Sequence, residues 1–547
     1  MGAIWQAEAD KHVNEPVVLC ELALTSGTLL WSTDFVRPKT SNPYVGQIIS
    51  LPIISNSIGD LARTFECGTV KITLADPERL LRQATSAEGI KNKALTIKIS
   101  FPDNALGEAL TVFTGRVYRY QPLANLQYEI EAEPILKNMA EVYPDKTVNS
   151  TDYAAAFSGA LEQVIPIIWG SNTSTSGPCK TLMVVETQDA EKHLVGLQQG
   201  AALTVTNVRL NGILKTVDTH YTITNATIDG KVHTYIKWVA LVRPTSSDLV
   251  TCDAAANDAT MGPVEAIKYF MINFCGYVDG DFNDASYDLA VTEEASRNYT
   301  FDGIMGSQKT LAAWLDQIRN EFELDVWFDM ATGKIKFHYL GQAIDTATAL
   351  WFYDYLDIIN YVPSQKVDLI MNWCRPGYNY DYAQQNFQNY SFAEDAASQT
   401  EHGGTYKEYP TAYFIRVAAT STDIAVRKVT RQRNPLAFET FVLPLKAFSL
   451  GLATISRFTH FDGAGVDGYQ GEFFQLRTAE LDLNQFVFSG TFENVSSFYG
   501  AEMILGDETA IGELWTDVDA DEFYAYMADE TTEEFSDGDP GKRMNDD

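Results

Sequence analysis

Leu95-Thr96-Ile97-Lys98-Ile99-Ser100-Phe101 alternates apolar and polar side chains along its whole length. Successive side chains of an extended chain point to opposite faces, so this pattern buries Leu95, Ile97, Ile99 and Phe101 and turns the rest to water. The same alternation runs through Val70-Lys71-Ile72-Thr73-Leu74 and through Tyr128-Glu129-Ile130-Glu131-Ala132-Glu133. Turn formers separate the runs, Asp76-Pro77 and then Pro102-Asp103-Asn104. The region therefore reads as antiparallel β structure with one solvated face, a sheet or barrel that ends near residue 140.

Beyond it the pattern changes. A short helix is expected over 152–163, running into Val164-Ile165-Pro166-Ile167-Ile168-Trp169-Gly170, with further strands over 202–210 and 233–242. A helix then opens at Pro263, carries Val264, Ile267, Met271 and Phe274 on one face, and stops at Gly276. A second places Leu311, Trp314, Leu315, Ile318 and Phe322 at helical spacing. It feeds a hairpin that turns at Ala331-Thr332-Gly333, after which Ile335, Phe337 and Tyr339 alternate with polar residues. Residues 378–410, rich in Tyr, Asn, Gln and Ser, read as a long polar loop. A helix over 422–433 leads to a second β region, with strands over 473–476, 479–483 and 486–495. From Asp507 onward the chain is strongly acidic and is expected to be extended, ordering only on docking. The fold class is mainly β with α/β insertions. The expected division is a first β-barrel domain (1–142), an inserted β-rich module (143–262), a small α/β module (263–358), a second β-barrel domain with the polar loop (359–500) and an acidic tail (501–547).

The chain has 547 residues, enough for several domains, and its 73 acidic against 40 basic side chains give a formal charge of -33. Such a field repels nucleic acid and argues against specific DNA or RNA binding; it suits solubility, or a surface along which DNA slides. Met1 to Pro16 lacks an apolar core, so no signal peptide is expected, and no stretch has the roughly 20 apolar residues of a membrane span. The cysteines Cys20, Cys67, Cys179, Cys252, Cys275 and Cys374 are scattered without a Cys-x-x-Cys pair, which reads as reduced, buried thiols.

No catalytic motif is present. Gly-x-Ser-x-Gly, His-Glu-x-x-His and a phosphate-binding Walker loop are absent. Gly463-Ala464-Gly465-Val466-Asp467-Gly468 fits a dinucleotide fingerprint, but a strand rather than a helix is expected after it. Asp279, Asp281 and Asn283 imitate the start of a calcium loop, with Asp284 where the turn glycine belongs and Ala290 where the bidentate Glu belongs. The histidines fall on no ligand spacing. The expectation is no catalytic residue, no cofactor-binding residue, no metal ligand, no cofactor, and a chain that is not an enzyme. Carboxylate pairs for glycoside cleavage meet only in space, and sequence leaves them open.

Four stretches resemble the tail hub, or baseplate hub, proteins of tailed phages and gene-transfer particles. Tyr44-Val45-Gly46-Gln47-Ile48-Ile49-Ser50-Leu51-Pro52, followed by the strand at 70–74 and Ala75-Asp76-Pro77, looks like the opening of the family's first barrel. Val112-Phe113-Thr114-Gly115-Arg116-Val117 resembles its F-x-G-x-V strand, and Ile165-Pro166-Ile167-Ile168-Trp169-Gly170 is similar to the I-P-I-x-x-G lead-in to an insertion. Residues 443–495 look like the returning barrel. The resemblance implies two similar tube-type antiparallel barrels per chain, a homotrimer with a pseudo-sixfold ring, and a structural role at the tail tip. Implied partners are the distal tail or tail tube protein, the tape measure protein, and fibre or spike proteins, with DNA crossing the lumen unbound during ejection. Other readings are a receptor-binding or fibre-attachment protein of the same particle, and a cell-wall hydrolase.

Overall fold

The structure, a computed structural model, describes residues 16–33, 44–58, 66–101, 106–134, 139–153, 156, 158–174, 177–185, 192–239, 244–245, 247–256, 260–342, 351–463 and 468–498. The acidic segment from Asp507 lies outside the described residues. The fold is mainly β, in several antiparallel sheets.

The alternating runs near the start of the chain form strands β1 (Val17–Ala23), β2 (Thr28–Ser32), β3 (Val45–Gly46), β4 (Ile48–Ser50), β5 (Ile53–Ser57), β6 (Glu66–Cys67), β7 (Val70–Ala75), β8 (Ala94–Ser100), β9 (Leu110–Pro122) and β10 (Gln127–Glu133). Eight of them make one sheet in the order β3-β2-β1-β8-β9-β10-β7-β4. Leu95, Ile97 and Ile99 are fully buried on its inner face, as the alternation requires. Its outermost strands, β3 and β4, are separated in sequence only by Gln47. The Gln47 N–H donates to the Ser32 carbonyl (3.0 Å) and its carbonyl accepts from the Ala75 N–H (2.7 Å), so one residue is bonded to β2 and to β7.

The last third of the chain builds a second sheet from β11 (Trp351–Tyr353), β12 (Asn360–Val362), β13 (Gln365–Lys366), β14 (Leu436–Leu443), β15 (Ile455–His460), β16 (Tyr469–Asp482) and β17 (Val487–Asn494). The order is β11-β15-β16-β17-β14-β12, with β13 on β14 and β5 on β16. The first sheet, without its β1–β2 hairpin, has the same order: β3-β8-β9-β10-β7-β4.

The match reaches individual hydrogen bonds. Each sheet is built on one long strand, β9 of 13 residues or β16 of 14, carrying two bulges. Against β10 the register passes over Tyr118, and against β17 it passes over Arg477. Against β8 it passes over Val112, and against β15 over Gly471. The Val117 N–H donates to Lys93 and its carbonyl accepts from Asn92; the Leu476 N–H donates to Thr454 and its carbonyl accepts from Ala453. Asn92 and Ala453 both adopt left-handed backbone, at φ 64° and 61°. Asn tolerates that region and Ala does not, so at Ala453 the sheet geometry overrides the residue's own preference. Gly115 has its own reason: a Cβ there would lie 2.4 Å from the Glu133 carbonyl and 2.5 Å from the Phe113 ring. The inner faces of both sheets join in one core that includes Ile72, Ile97 and Ile130 with Phe441, Phe458 and Phe492. Phe441 and Phe458 stack at 4.1 Å.

Between the sheets lie two linked layers. A six-stranded sheet pairs Ile167–Trp169 with Gly303–Met305, and so spans the residue 262/263 boundary drawn from sequence. Helices form at Pro263–Phe274 and Leu311–Phe322, and the hairpin at Leu324–Asp329 and Lys334–Tyr339, close to where their periodicities put them. Three expectations need correction. Residues 152–163 form only a 3-10 turn at Ser158–Ala160 among the described residues, where Gln163 bonds back to Gly159. Residues 378–410 are not a loop but a hairpin, Gly377–Asp381 with Asn386–Tyr390, followed by the helix Ala396–Glu401. The Asp381 carboxylate accepts from the Ala383 and Gln384 N–H groups and so builds the turn. The two strands expected over 473–483 are one continuous strand, β16, bulged at Arg477. Cys20, Cys179, Cys252, Cys275 and Cys374 are buried and not joined in disulfides.

A helix over Asp284–Ser296 had no sequence signal, because its apolar residues form no stripe. It buries Glu294, whose carboxyl accepts from the Val264 N–H (2.8 Å) and the Tyr339 hydroxyl (3.2 Å). Burial pushes this carboxyl from 4.5 up to about 8. Between those values the folded chain keeps a proton that the unfolded chain has released, so stability falls as pH rises from about 4.5 to about 8. The Glu294→Gln variant should lose less stability between pH 5 and pH 8 than the wild type. A difference of about 2–5 °C in the Tm drop is expected, read by calorimetry at both pH values.

Candidate functional site

The joint between the two sheets is the best-built feature of the fold. β5 leaves its own half of the chain and pairs with β16, from Thr478↔Ser57 to Asp482↔Ile53. Its partners on β16 are fixed by Ile54, which is 1 % exposed, and by the Ile58 N–H, which donates to the Arg477 carbonyl (3.0 Å). The Asn56 amide donates to the Phe328 carbonyl (3.0 Å), and Arg319 to the Ile58 carbonyl (3.0 Å). Both of those partners come from the module inserted between the sheets.

That module's hairpin sits in the joint. Trp327 and Met330 enter the shared core. The Thr114 N–H of β9 donates to the Met330 carbonyl (2.6 Å), and the Thr114 hydroxyl to Ala331 (3.0 Å). On the other side Asp325 receives Arg477 of β16 (2.8 Å). Arg477 is the bulge residue, 1 % exposed, and its Nε also lies 3.5 Å from Glu493. Glu493 is held in a fork by Arg431 (2.6 Å to each oxygen), and Lys428 pairs with Glu323 (2.6 Å). Arg431 and Lys428 lie on the helix Ala418–Gln432, Glu323 just after the helix Leu311–Phe322. Opposite charges from four segments thus meet where water is excluded, and each has a partner.

The residues that imitate functional motifs are occupied with local structure. Asp281 accepts from the Val278 N–H, Asn283 caps the helix that follows it, and Asp279 pairs with Lys268 at 2.7 Å. Gly463 and Gly468 lie between β15 and β16, and residues 464–467 are outside the described residues. Burial pushes His193 and His338 down to about 4, so both are neutral near pH 7. No group of three or more His, Cys, Asp or Glu side chains among the described residues is placed to hold a metal ion. Glu129 and Glu131 stand beside Lys71 (2.6 Å) and Arg119 (3.8 Å), so that face of β10 carries mixed charge.

A cleft of about 420 Å3 lies beside the 377–390 hairpin, lined by Tyr380, Tyr382, Tyr413, Gln385 and Lys180 among others. Its aromatic wall is largely committed to packing. The Tyr382 hydroxyl accepts from Ile304 and donates to Tyr413, both at 2.9 Å, and Tyr380 packs on Tyr413 at 4.7 Å. Sequence reasoning gave no residue of the joint a role. The one available signal was the Leu51-Pro52 pair, which ends β4 and sends β5 away from its own sheet.

Replacing Arg477 by Met leaves Asp325 buried without its charge partner, and destabilisation by about 3–5 kcal/mol is expected. Arg119→Ala, at an exposed pair, should change stability by less than about 1 kcal/mol. Urea unfolding of both variants checks the contrast.

No protein-family model matches the chain, and no curated protein matches it in sequence. Among solved structures, it is similar to a 43 kDa tail protein of prophage MuSo2 from Shewanella oneidensis, at 10% identity and a TM-score of 0.39, covering 88% of this chain and 100% of that one. A component of the virion of a native gene transfer agent particle matches at 12% identity and a TM-score of 0.41, covering 63% and 87%. The prophage tail protein gp18 from Listeria monocytogenes EGD-e matches at 8% identity and 0.36, covering 89% and 99%. These three structures are described as tail proteins or as part of a gene transfer agent virion.

Proposed function

We propose that this chain is a structural protein of a phage virion, the trimeric hub of the tail tip. The observation that carries the reading is the internal duplication: two sheets of one topology, bulged at matching positions and joined edge to edge by β5. A sixfold tube can continue onto a threefold assembly only if each subunit offers two similar but non-identical surfaces, and a duplicated chain does so. Each sheet also begins and ends on neighbouring segments of the chain, β3 with β4 and β11 with β12, as strands closing into a barrel would.

In this reading three copies form a pseudo-sixfold ring of barrels around a channel for DNA ejection. The ring meets the distal tail or tail tube protein and the tape measure protein on one side, and fibre or spike proteins on the other. The charged joint around Arg477 gives each subunit a rigid body, and catalysis has no part in the role. Reconstruction of the tail tip from purified particles tests it. Threefold density with six similar lobes at the end of the tube is expected; density for this chain in the capsid, or only at receptor-binding fibre tips, removes the reading.

A further inference from the structure

The inserted module holds two cysteines that face each other across a sheet. The strands Cys179–Lys180 and Val250–Ala255 run antiparallel, with Cys179 opposite Cys252 and Lys180 opposite Thr251. Cys179 is 1 % exposed and Cys252 is fully buried. Both belong to the apolar core that includes Ile168, Val195, Ile236 and Trp238. The Cys252 sulfhydryl donates to the Cys179 carbonyl (3.9 Å). It also lies within hydrogen-bond reach of the Cys179 sulfur, which together with burial pushes the Cys252 thiol well above its ordinary range. Among the described residues no other two cysteines oppose each other in a sheet. Cys20 faces Trp31 and Ile97, Cys67 faces Asn56, and Cys374 faces Ala393 and Glu408. Cys275 ends the helix Pro263–Phe274.

The strand that carries Cys179 is lightly held. It has two residues and pairs with Val250–Ala255 alone, whereas that partner is paired on both sides. Thr181 follows, fastened to the Val250 carbonyl by its N–H and its hydroxyl, both at 3.2 Å. The chain then enters the strand Leu182–Val185 of the six-stranded sheet. Cys179 therefore sits where the module crosses from one sheet to the other. Directly opposed residues of an antiparallel pair have Cβ atoms about 4.5–5.5 Å apart, and a disulfide needs about 3.5–4.5 Å. An approach of about 1 Å closes the gap, and the short edge strand, with few main-chain bonds to break, supplies it.

We infer that Cys179 and Cys252 are an oxidisable pair, joined as a disulfide by hydrogen peroxide once the folded chain leaves reducing surroundings. Opening of the edge strand exposes Cys179, which gives up its proton and attacks one oxygen of the peroxide. The O–O bond breaks, the departing hydroxide takes up that proton as water, and a sulfenic acid remains on Cys179. As the strand closes, the Cys252 sulfur attacks the Cys179 sulfur and the S–O bond breaks. The hydroxide released takes the Cys252 proton as a second water. Two thiols thus lose two electrons, and one peroxide is reduced to two waters. The bond closes the long loop 179–252 and fastens the crossing between the two sheets of the module. It is independent of the hub reading.

Peptide mapping of the full chain tests it. The chain is purified with a thiol reductant, freed of it, exposed to hydrogen peroxide while folded, then unfolded, alkylated and digested. A peptide joining Cys179 to Cys252 is expected, with Cys20, Cys275 and Cys374 recovered alkylated. The oxidised chain should melt about 3–8 °C above the reduced one. Cys179→Ala and Cys252→Ala should each remove both the linked peptide and the gain. Full alkylation of both cysteines, or their conversion to sulfinic or sulfonic acids without a link, overturns the pair. A link that leaves the Tm unchanged overturns the fastening.

Discussion

A five-residue backbone ladder, β5 on β16, holds the two ends of the chain to each other. Its register cannot drift. A slip by one residue would turn Ile54 out of the core and strand the Asn56 amide away from Phe328. The continuity of the shared core and the seat of the inserted hairpin both follow from this register. The module between the sheets is therefore clamped by elements at opposite ends of the sequence.

The two halves share a backbone and differ in what they put on it. At the bulge opposite the hairpin strand, one half presents Tyr118 to solvent and the other drives Arg477 inward onto Asp325. Where the first sheet buries Val70, the second buries Glu439, which accepts from the Tyr469 hydroxyl at 2.6 Å. Such buried polar groups are tolerable only with partners at hand, and the inserted module supplies several of them. The two sheets thus have a similar backbone and unlike surface chemistry.

Much of the secondary structure was legible. Strands such as β7, β8 and β10 face water on one side, and their alternation is therefore clean; the helices at 263–274 and 311–322 each bury one stripe. What failed had a physical reason in each case. The helix at 284–296 is set by its Asn283 cap and by Glu294 buried against a neighbouring helix, neither of which is a periodicity. The hairpin at 377–390 is polar in composition because its turn is made by Asp381 and its packing by tyrosines. The duplication was expected only in outline. Its register rests on bulges and left-handed residues, and Val112-Phe113-Thr114-Gly115 takes the place in its sheet that Gly471-Glu472-Phe473-Phe474 takes in the other, with no aligned position identical. The joint is a product of pairing over a long sequence separation, to which local pattern is blind.

The long span between β5 and its partner also has a meaning in time. Ser57 leaves the ribosome some 420 residues ahead of Thr478. At about 5–20 residues per second the first half waits roughly 20–85 seconds for the strand that completes the joint. Until then Ile54 and the backbone of β5 have nothing to bury against on that side. Newborn chains crowded on one message thus each carry an unsatisfied edge at β5, and pairing through it before release would trap the wrong partners. The brevity of that edge and the Pro52 beside it serve synthesis as well as the folded chain.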